Sequence, residues 1–395
     1  MTGPRALLAA FVLILAFPTF AAKRVPPPEP AGATVLCYHI VEGPRDPRME
    51  VSRDTFRQQM RYLEMTGYNV IPLRHLHEFV VGKRASLPKN AVVITIDDGW
   101  RSTFTEVFPE MQRRKWPFTV FIYPNIIGKT SNAMTWQQIR KMADAGVDVQ
   151  SHSFSHGFLS RGRHRSKSEA DYSEWLQREL VKSKEVLEKE TGKKVQFLAY
   201  PYGDYDQNVA ERAAKAGYAA ALTCNFGKVM KGSDPLLMRR VVIEKKMDFA
   251  TFRRFLGAER MLLADVTPTP GKFADPGVTM VSAKIPNFKD VDPKSVGMAL
   301  LSLGQVLPYS YDANTGSISV AVRDTLAAMK SSSHRALVWA TDRKTGRRIE
   351  ASWIFKFPDP NAPPPPAAQE AALPTVTAST TTPSPSVVGG GGKRR

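Results

Sequence analysis

The segment Ala91-Val-Val-Ile-Thr-Ile-Asp-Asp-Gly99 does most to restrict what this chain can become. It is an apolar, β-branched run stopped by two acids and a glycine. It therefore reads as a strand buried in a parallel sheet, with the acids delivered at its C-terminal end. Ligand sites of α/β sheets lie at that end. Downstream, Gly146-Val-Asp-Val-Gln-Ser-His-Ser-Phe-Ser-His156 again runs from a strand-like stretch into a polar turn, and the spacing of its two imidazoles fits one face of a helical turn. One carboxylate and two His make a three-ligand set for a divalent metal with positions left open for water and substrate, the catalytic rather than the structural arrangement. The other carboxylate is spare for proton transfer. Each half alone has a plainer reading: the acids cap a helix at Ser102 to Arg114, or the His pair lies on a solvated helix face. Their joint occurrence, each after an expected core strand, favours a metal site and a hydrolase.

The rest of the first two-thirds supplies a scaffold. Apolar strands are expected at Val92 to Ile96, Phe118 to Tyr123, Val147 to Gln150, Gln196 to Tyr200 and Ala219 to Thr223. They alternate with helices near Asp54 to Met65, Trp136 to Ala145, Tyr172 to Thr191 and Asn208 to Ala216. That alternation argues an α/β fold, a parallel barrel that is incomplete. Trp136 opens one of these helices and either anchors it to the core or stacks on a sugar ring. The run Arg161-Gly-Arg-His-Arg-Ser-Lys167 reads as a solvated loop, placed close enough to His156 to contact an anionic cell-envelope polymer.

These residues resemble the carbohydrate esterase family 4 polysaccharide deacetylases, over roughly residues 33 to 260 by the extent of their motifs. The resemblance implies that Asp97 is the general base and that Asp98, His152 and His156 hold the metal. Zinc suits those ligands best, and cobalt, nickel or manganese also fit. Phe197-Leu-Ala-Tyr-Pro-Tyr-Gly203 matches the end of a further family motif, which implies that Tyr202 offers its backbone N–H to the developing oxyanion. The sequence departs from the pattern in two places. Ala199 stands where the family carries an Arg that holds the base, and Arg240, in Leu236-Leu-Met-Arg-Arg-Val-Val-Ile243, is the expected substitute. The family's Leu-x-x-His, source of the general acid, is absent after Val241. Instead Thr34-Val-Leu-Cys-Tyr-His-Ile-Val41 delivers His39 at a strand end, an order similar to the circularly permuted, exported deacetylases of poly-N-acetylglucosamine biofilms. The implied partner is an N-acetylated polysaccharide, biofilm poly-N-acetylglucosamine or peptidoglycan. The alternative is an inactive deacetylase fold that only holds polysaccharide, which the missing Arg favours.

The ends read differently. Arg5, the apolar stretch Ala6 to Phe17 and the small residues up to Ala22 form a signal peptide over 1–22, too short to span a membrane comfortably, so the chain is expected to be exported to the periplasm or cell envelope with no transmembrane segment after cleavage. Residues 23–32 are a Pro-rich lead-in, 33–262 the catalytic domain and 358–395 a Pro-, Ala-, Thr- and Gly-rich disordered tail. Between Thr267-Pro-Thr-Pro-Gly271 and the tail, strand-like stretches at Val278 to Ala283, Ser295 to Leu301, Ser317 to Val322, Arg335 to Thr341 and Ile349 to Phe357 imply a small all-β sandwich over 277–357. It resembles bacterial immunoglobulin-like modules. The formal charge of +18 suits acidic polymers, while the dispersed basic residues and the lack of a recognition motif argue against nucleic acid. Cys37 and Cys224 both fall on expected strands and read as core thiols.

Overall fold

The structure is a computed structural model that describes residues 32–43, 48–271, 274, 278–301, 307–322, 325 and 333–356. The expected signal peptide, most of the expected Pro-rich lead-in and the expected tail lie outside them. No helix among the described residues is long and apolar enough to cross a membrane.

The strand Ala91–Asp98 is buried along its whole length. It pairs in parallel with Gly32–Tyr38 on one side (Val35 opposite Val93) and Thr119–Ile122 on the other (Asp97 opposite Phe121). The order continues through Asp148–Ser151, Phe197–Ala199 and Ala220–Leu222, all parallel. The sheet curls until one short segment spans its two ends. Met238 bridges Leu222 at one edge, and Val241–Val242 pairs with Leu36 and Cys37 at the other. This is the α/β half-barrel that the strand–helix alternation implies.

Side-chain alternation along each strand separates two cores. Val92, Ile94 and Ile96 join the large cluster beneath the helices, whereas Ala91 and Val93 pack on the concave side with Val35, Phe121, Ala199, Leu222 and Met238. Helix Leu73–Val80 contributes to that concave cluster through Leu73, Leu76 and Phe79. Thr95 and Asp97 continue the concave face, so the barrel itself aims Asp97 inward. Five of the helix starts carry their own stop on fraying. Ser52, Thr135, Ser168, Asp206 and Asp248 accept from the backbone N–H three residues on, each worth about 1 kcal/mol.

The C-terminal region holds two four-stranded sheets whose apolar faces share one core, including Val281, Ile318, Met298, Val338 and Trp353. The expected strands appear as Met280–Lys284, Val291–Leu300, Ser317–Ala321, Ser333–Asp342 and Arg348–Lys356. Asp312 and Asp342 close the two turns by accepting N–H groups at Asn314, Lys344 and Thr345. Three further strands have no sequence signature. Tyr309–Asp312 joins one sheet, and Glu259–Arg260 and Ala264–Thr267 are drawn in from before the expected sandwich by pairing with Arg348–Lys356 and Met280–Lys284. Segments this short carry too little periodicity to register.

Candidate active site

The site forms at the C-terminal ends of neighbouring strands. Asp97 is 1 % exposed. Its Oδ1 accepts from Arg240 Nη1 at 2.8 Å and its Oδ2 lies 3.5 Å from the Cys37 thiol. Arg240 is itself fully buried and reaches Thr95 Oγ1 (3.5 Å) and Thr223 O (3.1 Å). The guanidinium therefore enters the barrel from the segment that joins its two edges. Ala199 ends strand Phe197–Ala199, so the cation comes from the segment just before Val241–Val242 rather than from that strand. Burial by itself raises the Asp97 carboxyl, but the Arg240 charge, with His152 and His39 beyond it, holds it below the usual carboxylate range. Arg240→Met would leave a buried carboxylate unpaired. It is expected to cost about 3–5 kcal/mol of stability and to lower turnover of the surviving folded protein at least tenfold. Thermal melting and turnover of the folded fraction measure both.

Asp98 takes the other role. It has φ 81°, and Gly99 follows at φ 102° with Ile127 Cδ1 only 3.0 Å from where a Cβ would sit, so the chain turns there as only glycine allows. Trp100 Nε1–H donates to Asp98 Oδ2 at 2.8 Å. Asp98 Oδ1 is buried without a hydrogen bond and faces His152 Nε2 at 3.5 Å and His156 Nε2 at 3.3 Å. The three donor atoms lie within 4.8 Å of one another. Burial pushes His152 down to about 4, so its imidazole is neutral rather than a cation. Its Nδ1–H donates to Ala199 O at 2.7 Å, and His156 Nδ1 pairs with the Tyr202 hydroxyl at 3.1 Å, which aims both Nε2 lone pairs at Asp98. An orphaned carboxylate oxygen facing two imidazole nitrogens is a donor set that fits a divalent cation.

The two His do not share a helical turn. Residues 152–158 are irregular, with Ser153 at φ 60° and His156 at φ 63°, conformations costing on the order of 1–3 kcal/mol each. Buried Glu179 fixes the loop by accepting Phe154 N–H, Ser155 N–H and the Ser155 hydroxyl at 3.1, 2.8 and 2.6 Å. Glu179 sits in a widened turn, Arg178–Lys182, within the helical stretch expected to be continuous.

His39 follows strand Gly32–Tyr38 and joins Cys37 and Asp97 in a second group whose side-chain atoms lie within 4.8 Å. Its Nδ1 is buried and makes no hydrogen bond. Tyr202 occupies the turn Pro201–Gly203 at φ 60°, its ring stacked on Phe158 with centroids 4.0 Å apart. Trp136 is not brought to this group. It opens a helix capped by Thr135 and packs on the main core. Trp100 is the site tryptophan, legible only as the residue after Asp-Asp-Gly. It lines a cleft of about 150 Å³ with Ile40, Glu42, Arg101 and Asn132. The basic run forms a short helix, Gly162–Arg165, rather than an open loop. Arg161 lies over Phe158, and Arg163 over Tyr172 while pairing with Glu169, because guanidinium planes stack well on aromatic faces. Cys37 and Cys224 are buried and unpaired.

Residues 84–221 match the family profile described as polysaccharide deacetylase. The chain is 22% identical over 228 residues to the putative polysaccharide deacetylase YxkH of Bacillus subtilis, covering 58% of this chain and 77% of that protein. It is 26% identical over 232 residues to the poly-β-1,6-N-acetyl-D-glucosamine N-deacetylase of Escherichia coli, covering 50% of this chain and only 34% of that protein. Its fold is similar to the Streptococcus pyogenes deacetylase PplD in complex with acetate, with a TM-score of 0.51 at 20% identity over 57% of this chain and 99% of that one. Residues 84–221 are therefore similar to polysaccharide deacetylases, hydrolases that cleave C–N bonds other than peptide bonds, and the likeness to the Streptococcus pyogenes structure is one of fold.

Proposed function

We propose that this chain is a metal-dependent N-deacetylase of an exported N-acetylglucosamine polysaccharide, releasing acetate and leaving glucosamine units. The observation that carries the reading is the convergence of His39, Asp97, Asp98, His152 and His156 on one barrel end. A divalent cation held by Asp98, His152 and His156 would polarise the acetyl carbonyl and acidify a bound water. Asp97, kept ionised by Arg240, takes the proton of the attacking water. The Tyr202 backbone N–H stabilises the tetrahedral oxyanion. His39 then protonates the departing sugar amine, without which an amide anion would have to leave. The buried Arg240–Asp97 pair also removes the feature that favoured an inactive, polysaccharide-holding chain. We further read residues 33–262 as a circularly permuted catalytic domain with His39 at its first strand, 277–357 as an immunoglobulin-like module, and zinc as the metal.

The name of the Escherichia coli relative supports a β-1,6-linked N-acetylglucosamine polymer as substrate. Acetate release from β-1,6-linked N-acetylglucosamine oligomers, chitin oligomers and peptidoglycan tests this. Fastest release from the β-1,6 oligomer, abolished by chelator and restored by added metal, is expected. Release from none of them with metal present, or release indifferent to chelator, overturns it. His39→Ala separates an acid from a packed histidine. Metal content should be kept, amide hydrolysis should fall at least a hundredfold, and an activated acetyl ester, whose leaving group needs no proton, should lose less than about tenfold. Equal losses on both substrates would remove His39 from the mechanism.

A further inference from the structure

Strand Arg348–Lys356 of the C-terminal sheets does more than complete its own sandwich. Ser352, Ile354 and Lys356 alternate along one of its faces, and all three meet the barrel. Ser352 Oγ accepts Phe226 N–H at 2.6 Å and Ser352 O accepts from Arg239 at 2.8 Å. Ile354 Cδ1 lies 3.1 Å from where a Cβ on Gly203 would sit. Lys356, 1 % exposed, pairs its ammonium with Asp204, which is fully buried, and donates to Ser160 Oγ at 2.6 Å and Tyr205 O at 3.2 Å. Asp204 in turn accepts Ser160 N–H at 2.7 Å and the Ser160 hydroxyl at 3.0 Å. Asp204 is two residues past Tyr202, and Ser160 four past His156. One carboxylate therefore ties the oxyanion turn to the loop after a metal ligand, and its nearest counter-charge comes from the C-terminal sheets, with Arg161 Nε farther off at 3.9 Å. That ties in with the hydrogen bond between His156 Nδ1 and the Tyr202 hydroxyl already described.

We propose that Lys356 is a positioning residue for the deacetylase centre, holding the Tyr202 turn and the His156 loop in register through Asp204 and Ser160, so that the C-terminal sandwich is part of the catalytic unit rather than an appended spacer. This rests on the deacetylase reading for its activity arm only. Its physical basis is that a buried carboxylate stripped of its nearest cation must shift toward Arg161 or solvent, or take up a proton, and each change pulls on the two segments it joins.

The test uses the full chain with Lys356→Met and, as a milder change that strands no charge, Ser160→Ala. Measurements are made well below each melting temperature. Both are expected to keep KM within about twofold. Lys356→Met should lower kcat on the order of tenfold to a hundredfold, as small displacements of reacting groups do. Its affinity for cobalt(II) or zinc(II) alone, read by chelator competition, should fall on the order of tenfold, with an altered cobalt absorption spectrum. Ser160→Ala should show the same pattern, about threefold to tenfold in kcat. A role confined to stability would lower the melting temperature and leave kcat, metal affinity and spectrum unchanged, and that result in the folded variants overturns the proposal. If Lys356→Met does not fold, Ser160→Ala decides alone. If the wild-type chain binds metal but releases no acetate, the deacetylase reading fails while the affinity and spectral arms still decide the role of Lys356.

Discussion

His152→Ala is expected to empty the metal site and to lower deacetylation by on the order of a thousandfold or more. The ring is buried and neutral, with its Nδ1–H donated to Ala199 O, so its Nε2 can do little but face Asp98 Oδ1. Alanine leaves two donors, Asp98 and His156. A cation worth several kcal/mol in polarising the carbonyl corresponds to about three powers of ten in rate. Metal content after dialysis and acetate release on the same sample check both parts. Full metal and full turnover would end the assignment of His152 as a ligand.

Asp97→Asn is expected to retain the metal while turnover falls by about a hundredfold to ten-thousandfold, the range over which a positioned base contributes. The structure separates the two neighbouring carboxylates by what their oxygens already do. Both Asp97 oxygens have partners, Arg240 on one and Cys37 on the other, whereas Asp98 Oδ1 has none. The amide oxygen of Asn can keep the Arg240 hydrogen bond, so the variant should lose less stability than the roughly 3–5 kcal/mol of a broken buried pair. Loss of metal from this variant would reverse the assignment of the two acids.

The barrel strands were legible because most carry a short apolar, β-branched core, and the run ending in Asp97 and Asp98 also announced which end of the sheet would hold the chemistry. The His spacing misled on local geometry. Four residues fit a helical turn, yet Ser153 and His156 adopt left-handed backbone that Glu179, some twenty residues on, enforces with three hydrogen bonds. No short-range pattern encodes that. Trp136 misled in a related way, since a tryptophan at a helix start looks the same whether it faces a ligand or the core, and only packing against the main cluster tells.

Residue types and their order along the chain were enough to specify the half-barrel, the ligand and acid–base candidates, and a separate β-rich C-terminal region, because periodicity and strand-end chemistry are local properties. Which Arg reaches Asp97, that Arg161 and Arg163 fold onto aromatic rings, and that Lys356 lies beneath the Tyr202 turn were settled only by the tertiary fold. The Arg240–Asp97 and Lys356–Asp204 contacts join positions 143 and 152 residues apart. A buried charge is tolerable only where the folded chain brings its partner, and a one-dimensional pattern does not contain that meeting.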